Sequence, residues 1–304
     1  MLFFLSLTSS AWACLWYYGT DMHGKALTLS VIDPAAYVKS LTDHSEHGRR
    51  VQLSAIPTPE PPPPKIEERY KARSDMAATL VYKGKAKEAI DILMEVEKEK
   101  PGEYVVAANL RTAYELHGDL PKAHHWISEA IRRNAYAHDG TEWLHVLILD
   151  ARMALAKDPK WLETHSVLGA DFGKDPEPKS PSAWPKGQSL ESTKHALEYQ
   201  LHERMGFVPP PDPVVGDLLF DLANVLALTV TVEHAIAVDD LALTYKPVKA
   251  EMVATRRAHF QEVVDGRHRT KALKQVGGTV GVALILLALV GFWMRARARA
   301  AAQA

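Results

Sequence analysis

A 34-residue echo constrains this chain more than any other feature. Gly84, Ala89, Leu93, Val96 and Pro101 return as Gly118, Ala123, Ile127, Ala130 and Ala135, each pair 34 positions apart. Met76 is matched in the same phase by Leu110, and Leu80 by Tyr114. A fixed period of this length in helix-forming sequence belongs to stacked helix-turn-helix units, because one unit cannot bury its apolar face without a neighbour. Each unit predicts two antiparallel helices. Gly84 and Gly118 mark where the first helix must end, since glycine accepts the left-handed conformation of a helix stop. Ala89 and Ala123 are small and let the second helix approach the first. Leu93 and Ile127, one turn later, fill the space between them. Pro101 stops the second helix of the first unit.

These residues, with the Leu110–Tyr114 spacing, resemble the tetratricopeptide repeat (TPR) family from Tyr70 to Ala135. Val96 stands where that family usually carries a small alanine, and Ala135 where it carries proline. The resemblance implies an all-α fold, a TPR-like helical hairpin array wound into an α-α superhelix, whose usual work is holding other proteins. Its concave groove is lined by the first helix of each unit. That places Lys71, Ser74, Ala78 and Tyr82 of the first unit, and Val105, Ala108, Asn109, Thr112 and Glu115 of the second, at or near the groove. Some members clamp a partner's terminal carboxylate with lysine and asparagine at set groove positions. Asn109 fits one such position, but Ser74 and Ala78 stand where the first unit would need the others, which argues against that mode. The mixed, mildly apolar groove suits an extended peptide or a helix. The expectation requires Tyr82 and Glu115 to be open to solvent.

A third set, Leu222, Ala223, Leu226, Ala235, Ala242 and Pro247, falls on the same internal spacing, with Val230 in place of the turn glycine and Asp239 at a large-apolar position. It reads as a degenerate repeat or as a generic helical hairpin. Asp139–Ala156 reads as an amphipathic helix, with Trp143, Leu144, Leu147, Ile148, Ala151 and Leu155 on one face. Further helices are expected at Ser189–Met205, Val214–Thr229, Val232–Tyr245 and Val248–Val264, bounded by proline-rich breaks. Trp126, Trp143 and Trp161 are expected in the core or in a groove wall. The resulting organisation is a 14–55 N-terminal region with one short β-like stretch (Gly24–Ile32), a Pro-rich linker at 56–65 that favours polyproline II, helical repeats at 66–173, a proline- and charge-rich loop at 174–188, and a helical region at 189–266.

The ends speak to location. Residues 1–13 form a short apolar run closing on Ala11-Trp12-Ala13, the small-x-small pattern of a secretory signal. Cys14, the chain's single cysteine, admits a second reading as a lipidated first residue. Val276–Met294 is uncharged and near the roughly 20 residues needed to cross a bilayer, and it is followed by the basic tail 295–304. Basic residues flank the stretch on both sides, so orientation rests on the N-terminal signal. It predicts a single-pass protein of a bacterial cell envelope, with the helical domain periplasmic or otherwise extracytoplasmic and the tail cytoplasmic; the competing topology is a tail-anchored protein with its helical body in the cytoplasm.

Lysine plus arginine (36) nearly balance aspartate plus glutamate (37), so no basic excess points to nucleic acid as a partner. Motifs of catalysis or cofactor binding are missing: no HExxH, no paired cysteines, no GxSxG, no phosphate-cradling glycine loop. The expectation is therefore a non-enzymatic, membrane-anchored scaffold with an unidentified protein partner and no metal or cofactor. The alternative is a helical metal-binding protein or enzyme centred on Glu142, His145 and His138. Glu142 and His145 share a helical face at i, i+3, but di-iron bundles need two such pairs and further glutamates. Convergence of these side chains in a cleft is the geometry that alternative requires.

Overall fold

The structure, a computed structural model, describes residues 17–29, 31–44, 66–185 and 187–301. The expected signal segment 1–13, Cys14 and the proline linker 56–65 lie outside the described residues.

A short hairpin opens the described chain. Strand β1 (Tyr17–Thr20) pairs antiparallel with β2 (Ala26–Leu29), Tyr17 facing Leu29. β2 falls inside the expected β-like stretch. Its partner was not legible, because four residues of YYGT carry no alternation of their own. Helix α1 (Pro34–Thr42) follows, started by Asp33, whose carboxylate accepts from the amides of Ala35 and Ala36.

The repeats become two hairpins: α2 (Ile66–Tyr82) with α3 (Ala86–Glu99), then α4 (Tyr104–His117) with α5 (Leu120–Arg133). Their turns are the same structure twice. Gly84 has φ +74° and Gly118 φ +89°. The next amide reaches back five residues in each, from Lys85 to Leu80 O and from Asp119 to Tyr114 O, which closes the helix end with its carbonyls satisfied. Ala89, Leu93, Val96, Ala123, Ile127 and Ala130 have no solvent exposure. At Gly118 an added Cβ would meet nothing within 4 Å, so Gly118→Ala isolates backbone strain. We expect a loss of about 1 kcal/mol in urea unfolding, and less for Gly118→Asn. Equal stability of the alanine variant would show that the left-handed turn is not required.

Beyond α5, a 3-10 turn (Ala137–Gly140) carries His138 and Asp139 at φ +49° and +54°. This moves the start of the next helix from the expected Asp139 to Glu142, giving α6 (Glu142–Lys157). Then come the single turn α7 (Trp161–Thr164), α8 (Leu190–Met205, capped by Ser189), α9 (Pro213–Thr229, capped by Asp212), α10 (Val232–Thr244, capped by Thr231) and α11 (Ala250–Ala301). The third set of echoing residues forms the α9–α10 hairpin. α9 is buried from Val214 to Ala227, as a central helix must be.

Two cores result. One holds Tyr70 to Ala130, Trp126 included; the other joins Leu41 and Leu144 to Val264, with Trp143 and Trp161 half-buried against it. α6 is their seam, with Leu149 in the first and Leu144, Ile148 and Ala151 in the second. The proline- and charge-rich loop does not separate cores, since Leu168 and Phe172 just before it are buried in the second. The N-terminal hairpin is pinned there too. Thr20 bonds Glu233 of α10 through both its amide and its hydroxyl, and Arg267 of α11 donates to that hydroxyl at 2.7 Å.

The last helix departs from expectation. It does not stop at Val264 but runs on as one helix to Ala301. Val276–Met294 continues that helical backbone, while its side chains, Leu287 aside, lie outside the described residues. Among the described residues, no helix is long and apolar enough to cross a membrane.

Candidate functional site

The first helices of the two hairpins, α2 and α4, face the C-terminal end of α8. Between them lies a cavity of about 280 Å³. Seven of the nine expected groove residues line it: Ala78, Tyr82, Val105, Ala108, Asn109, Thr112 and Glu115. Lys71 and Ser74 do not. Lys71 is exposed, with its ammonium over the Tyr70 ring. Ser74 is buried and accepts from the Asn109 amide at 3.1 Å, tying α2 to α4. Thr112 accepts from Arg111 and donates back to Ala108 O. Tyr82 is 39% exposed and stacks on Phe207, ring centroids 4.8 Å apart.

Glu115 corrects the groove expectation. Its carboxylate is buried rather than offered to a ligand, because two guanidinium groups and an imidazole from other helices surround it. Arg204 of α8 donates to it at 2.7 Å, His145 of α6 at 2.8 Å, and Arg152 Nε lies 3.5 Å away. Burial alone would raise its pKa, but Arg204 and His145 outweigh burial and hold it well below the ordinary carboxylate value. Glu115 is thus the tie between the first hairpins and the C-terminal half.

The alternative trio does converge beside this cavity. Glu142 accepts from His138 Nδ1 (2.7 Å), Tyr104 Oη (2.9 Å) and Arg111 Nη1 (2.8 Å). Burial opposes its ionisation, but His138 and Arg111 lower its pKa to about 2. His145 gives its Nε2 proton to Glu115 and accepts at Nδ1 from Arg111 (3.0 Å), a tautomer assigned from these partners. Burial first, then Arg111, lower its pKa to about 4, so the ring is neutral at pH 7. Two guanidinium groups, Arg111 and Arg204, sit among these atoms, and the carboxylate lone pairs are taken by protein donors. Among the described residues, no group of three His, Cys, Asp or Glu side chains is placed to hold a metal ion.

The closing wall was missed from sequence. Tyr199, Gln200, Arg204 and Phe207 come from α8 and the loop after it, more than 60 positions from the repeats. One signal was present. Gln200 and Arg204 share a stripe with Ala196, Leu197 and Leu201, and all are buried. Polar residues on an apolar stripe mark a buried network.

No protein-family model matches the chain, and no curated protein matches it in sequence.

Proposed function

We propose that this chain is a membrane-anchored, TPR-type interaction module that seats an extended segment of a partner protein in the cavity between α2, α4 and α8, and so scaffolds an envelope complex. One observation carries the reading. Tyr82 (39% exposed), Val105 (51%) and Leu116 (39%) are large apolar side chains left open to water, and all three belong to this one cavity. Apolar groups at a mouth above a polar floor are the form of a protein-docking pocket. The small volume suits an anchor side chain of a peptide laid across the mouth better than a whole helix. Anchoring rests on the apolar sequence Val276–Met294, and an extracytoplasmic body on the Ala11-Trp12-Ala13 pattern. The enzyme or metal alternative has less support, because Glu142 spends its lone pairs on Arg111, Tyr104 and His138, and His145 accepts from Arg111 at Nδ1 and donates to Glu115 at Nε2.

The test is site-specific photo-crosslinking in the native membrane. A photoreactive residue at Val105 or Leu116 is expected to yield a discrete adduct that disappears with Tyr82→Ala. The same group at Lys87, exposed on α3, should yield none. Adducts of equal yield at all three positions, or none at Val105 and Leu116, would remove the cavity from the interface.

A further inference from the structure

We infer that the anchor this cavity takes is an aromatic side chain carrying a hydrogen-bond donor, a tyrosine or tryptophan of the partner, with His138 as the acceptor. The inference rests on the docking reading above and names the chemistry of its ligand.

His138 lines the cavity and stands in a turn that L-residues avoid: it and Asp139 both have positive φ, two of the three such non-glycine residues among those described. Consecutive left-handed residues persist only where surrounding contacts hold them, and they concentrate at functional sites. The contacts here are explicit. Glu142, buried and bound by Arg111 and Tyr104, takes the His138 Nδ1 proton at 2.7 Å, and Tyr199 packs on the ring with centroids 5.6 Å apart. With Nδ1–H held on that carboxylate, Nε2 of an uncharged imidazole is the acceptor position. That nitrogen has no hydrogen-bond partner among the described residues. The side chain is 32% exposed, unlike Glu142 behind it at 2%. Strain, a buried orienting carboxylate and a free ring nitrogen together describe an acceptor held ready for a donor that arrives from outside.

The rest of the cavity fixes what carries that donor. Tyr82, Phe207 and Tyr199 supply aromatic surface, and Val105 and Leu116 extend it apolarly. Such walls favour a flat apolar body. A volume of about 280 Å³ is at the small end for ligand sites, which run from roughly 300 Å³ upward, and suits one large side chain. A flat apolar body with one N–H or O–H is the side chain of tryptophan or tyrosine, residues that often anchor protein interfaces. Phenylalanine would fill the same walls and leave Nε2 without a partner.

The experiment selects from a displayed library of random dodecapeptides on the full-length chain in detergent, then measures affinities by fluorescence anisotropy. The test variant is His138→Asn, since asparagine accepts a left-handed backbone and can still donate to Glu142; an unchanged thermal midpoint establishes its fold. Selected peptides are expected to share one tyrosine or tryptophan and to lose binding to Tyr82→Ala. Changing that tyrosine to phenylalanine should weaken binding about five- to ten-fold on the native chain and not on His138→Asn. Peptides that need Tyr82 but bind equally well with phenylalanine would overturn the inference and leave the docking reading standing. If no selected peptide responds to Tyr82→Ala, both readings fall.

Discussion

Arg256→Met is expected to destabilise the folded body by on the order of 3–5 kcal/mol, among the largest single-residue losses available in this chain. Arg256 lies on α11 with 1% exposure. Its guanidinium donates to the Asn224 side chain (2.7 Å) and to three backbone carbonyls, Phe172 (3.2 Å), Gly173 (2.5 Å) and Asp175 (3.2 Å). Those carbonyls belong to the irregular stretch between α7 and α8; Phe172 O keeps a second donor, the Lys179 amide, but the substitution removes the bonds that tie Gly173 O and Asp175 O to α11. Methionine keeps much of the volume and removes only the bonds and the charge.

The charge matters because Asp221 and Asp239 are buried nearby, and among the described residues Asp239 has no hydrogen-bond partner for either oxygen. Burial raises both far above the ordinary aspartate value, and Arg256 opposes that rise. An acid whose pKa is higher folded than unfolded holds its proton longer in the native state, so stability falls as pH rises through that window. Without Arg256 the window widens upward. The gap between variant and native chain should therefore grow from pH 5 to pH 8 in urea unfolding followed by tryptophan fluorescence. A gap below about 1 kcal/mol, or one that narrows with rising pH, would show that Arg256 is not the keystone of the loop.

Glu115→Gln should cost a comparable amount, about 3 kcal/mol, with a pH dependence confined to acid rather than spread over pH 5 to 8. The substitution leaves Arg204, buried to 4% exposure, without its carboxylate, and puts one neutral amide oxygen where two charged oxygens served Arg204 and His145. A carboxylate whose folded pKa lies below its unfolded value stabilises fully above the unfolded pKa, near 4.5, and loses that contribution as pH falls through the lower folded value. The penalty is expected to stay constant from pH 8 to about 5 and to shrink only in stronger acid. Amide hydrogen exchange gives the structural counterpart: faster exchange in α8 with little change in α3. Uniform acceleration throughout, or a penalty that disappears already at pH 6, would contradict the role of Glu115 as the tie between halves.

What was legible in the sequence was local. Gly84 and Gly118, and the alanine and branched aliphatic residue behind each, act within a turn or two of chain, so their spacing carries their meaning. Asp239 stood out as a carboxylate at an apolar position, and it is buried as that position requires. What escaped was set by chain far away. β1 is a strand because β2 and Glu233 receive it. Glu115 looked like a groove residue because α8, which covers it, enters about 90 positions later, with Arg204. The left-handed pair His138–Asp139 carries neither glycine nor asparagine to announce it. The expected stop at Val264 rested on apolar spacing, but a helix leaving the body for solvent needs no apolar face.

The unbroken course of α11 has a mechanical meaning. Its first turns are built into the body through Val253, Arg256, Phe260 and Val264, and the same backbone continues without a joint for 52 residues, a rod of about 80 Å at 1.5 Å per residue. A flexible tether lets its cargo sample a volume set by linker length. A mast does not. In the anchored arrangement proposed above, the surface holding the far end would also set the height and bearing of the cavity, so a client fixed to that surface would meet it at a concentration decided by geometry.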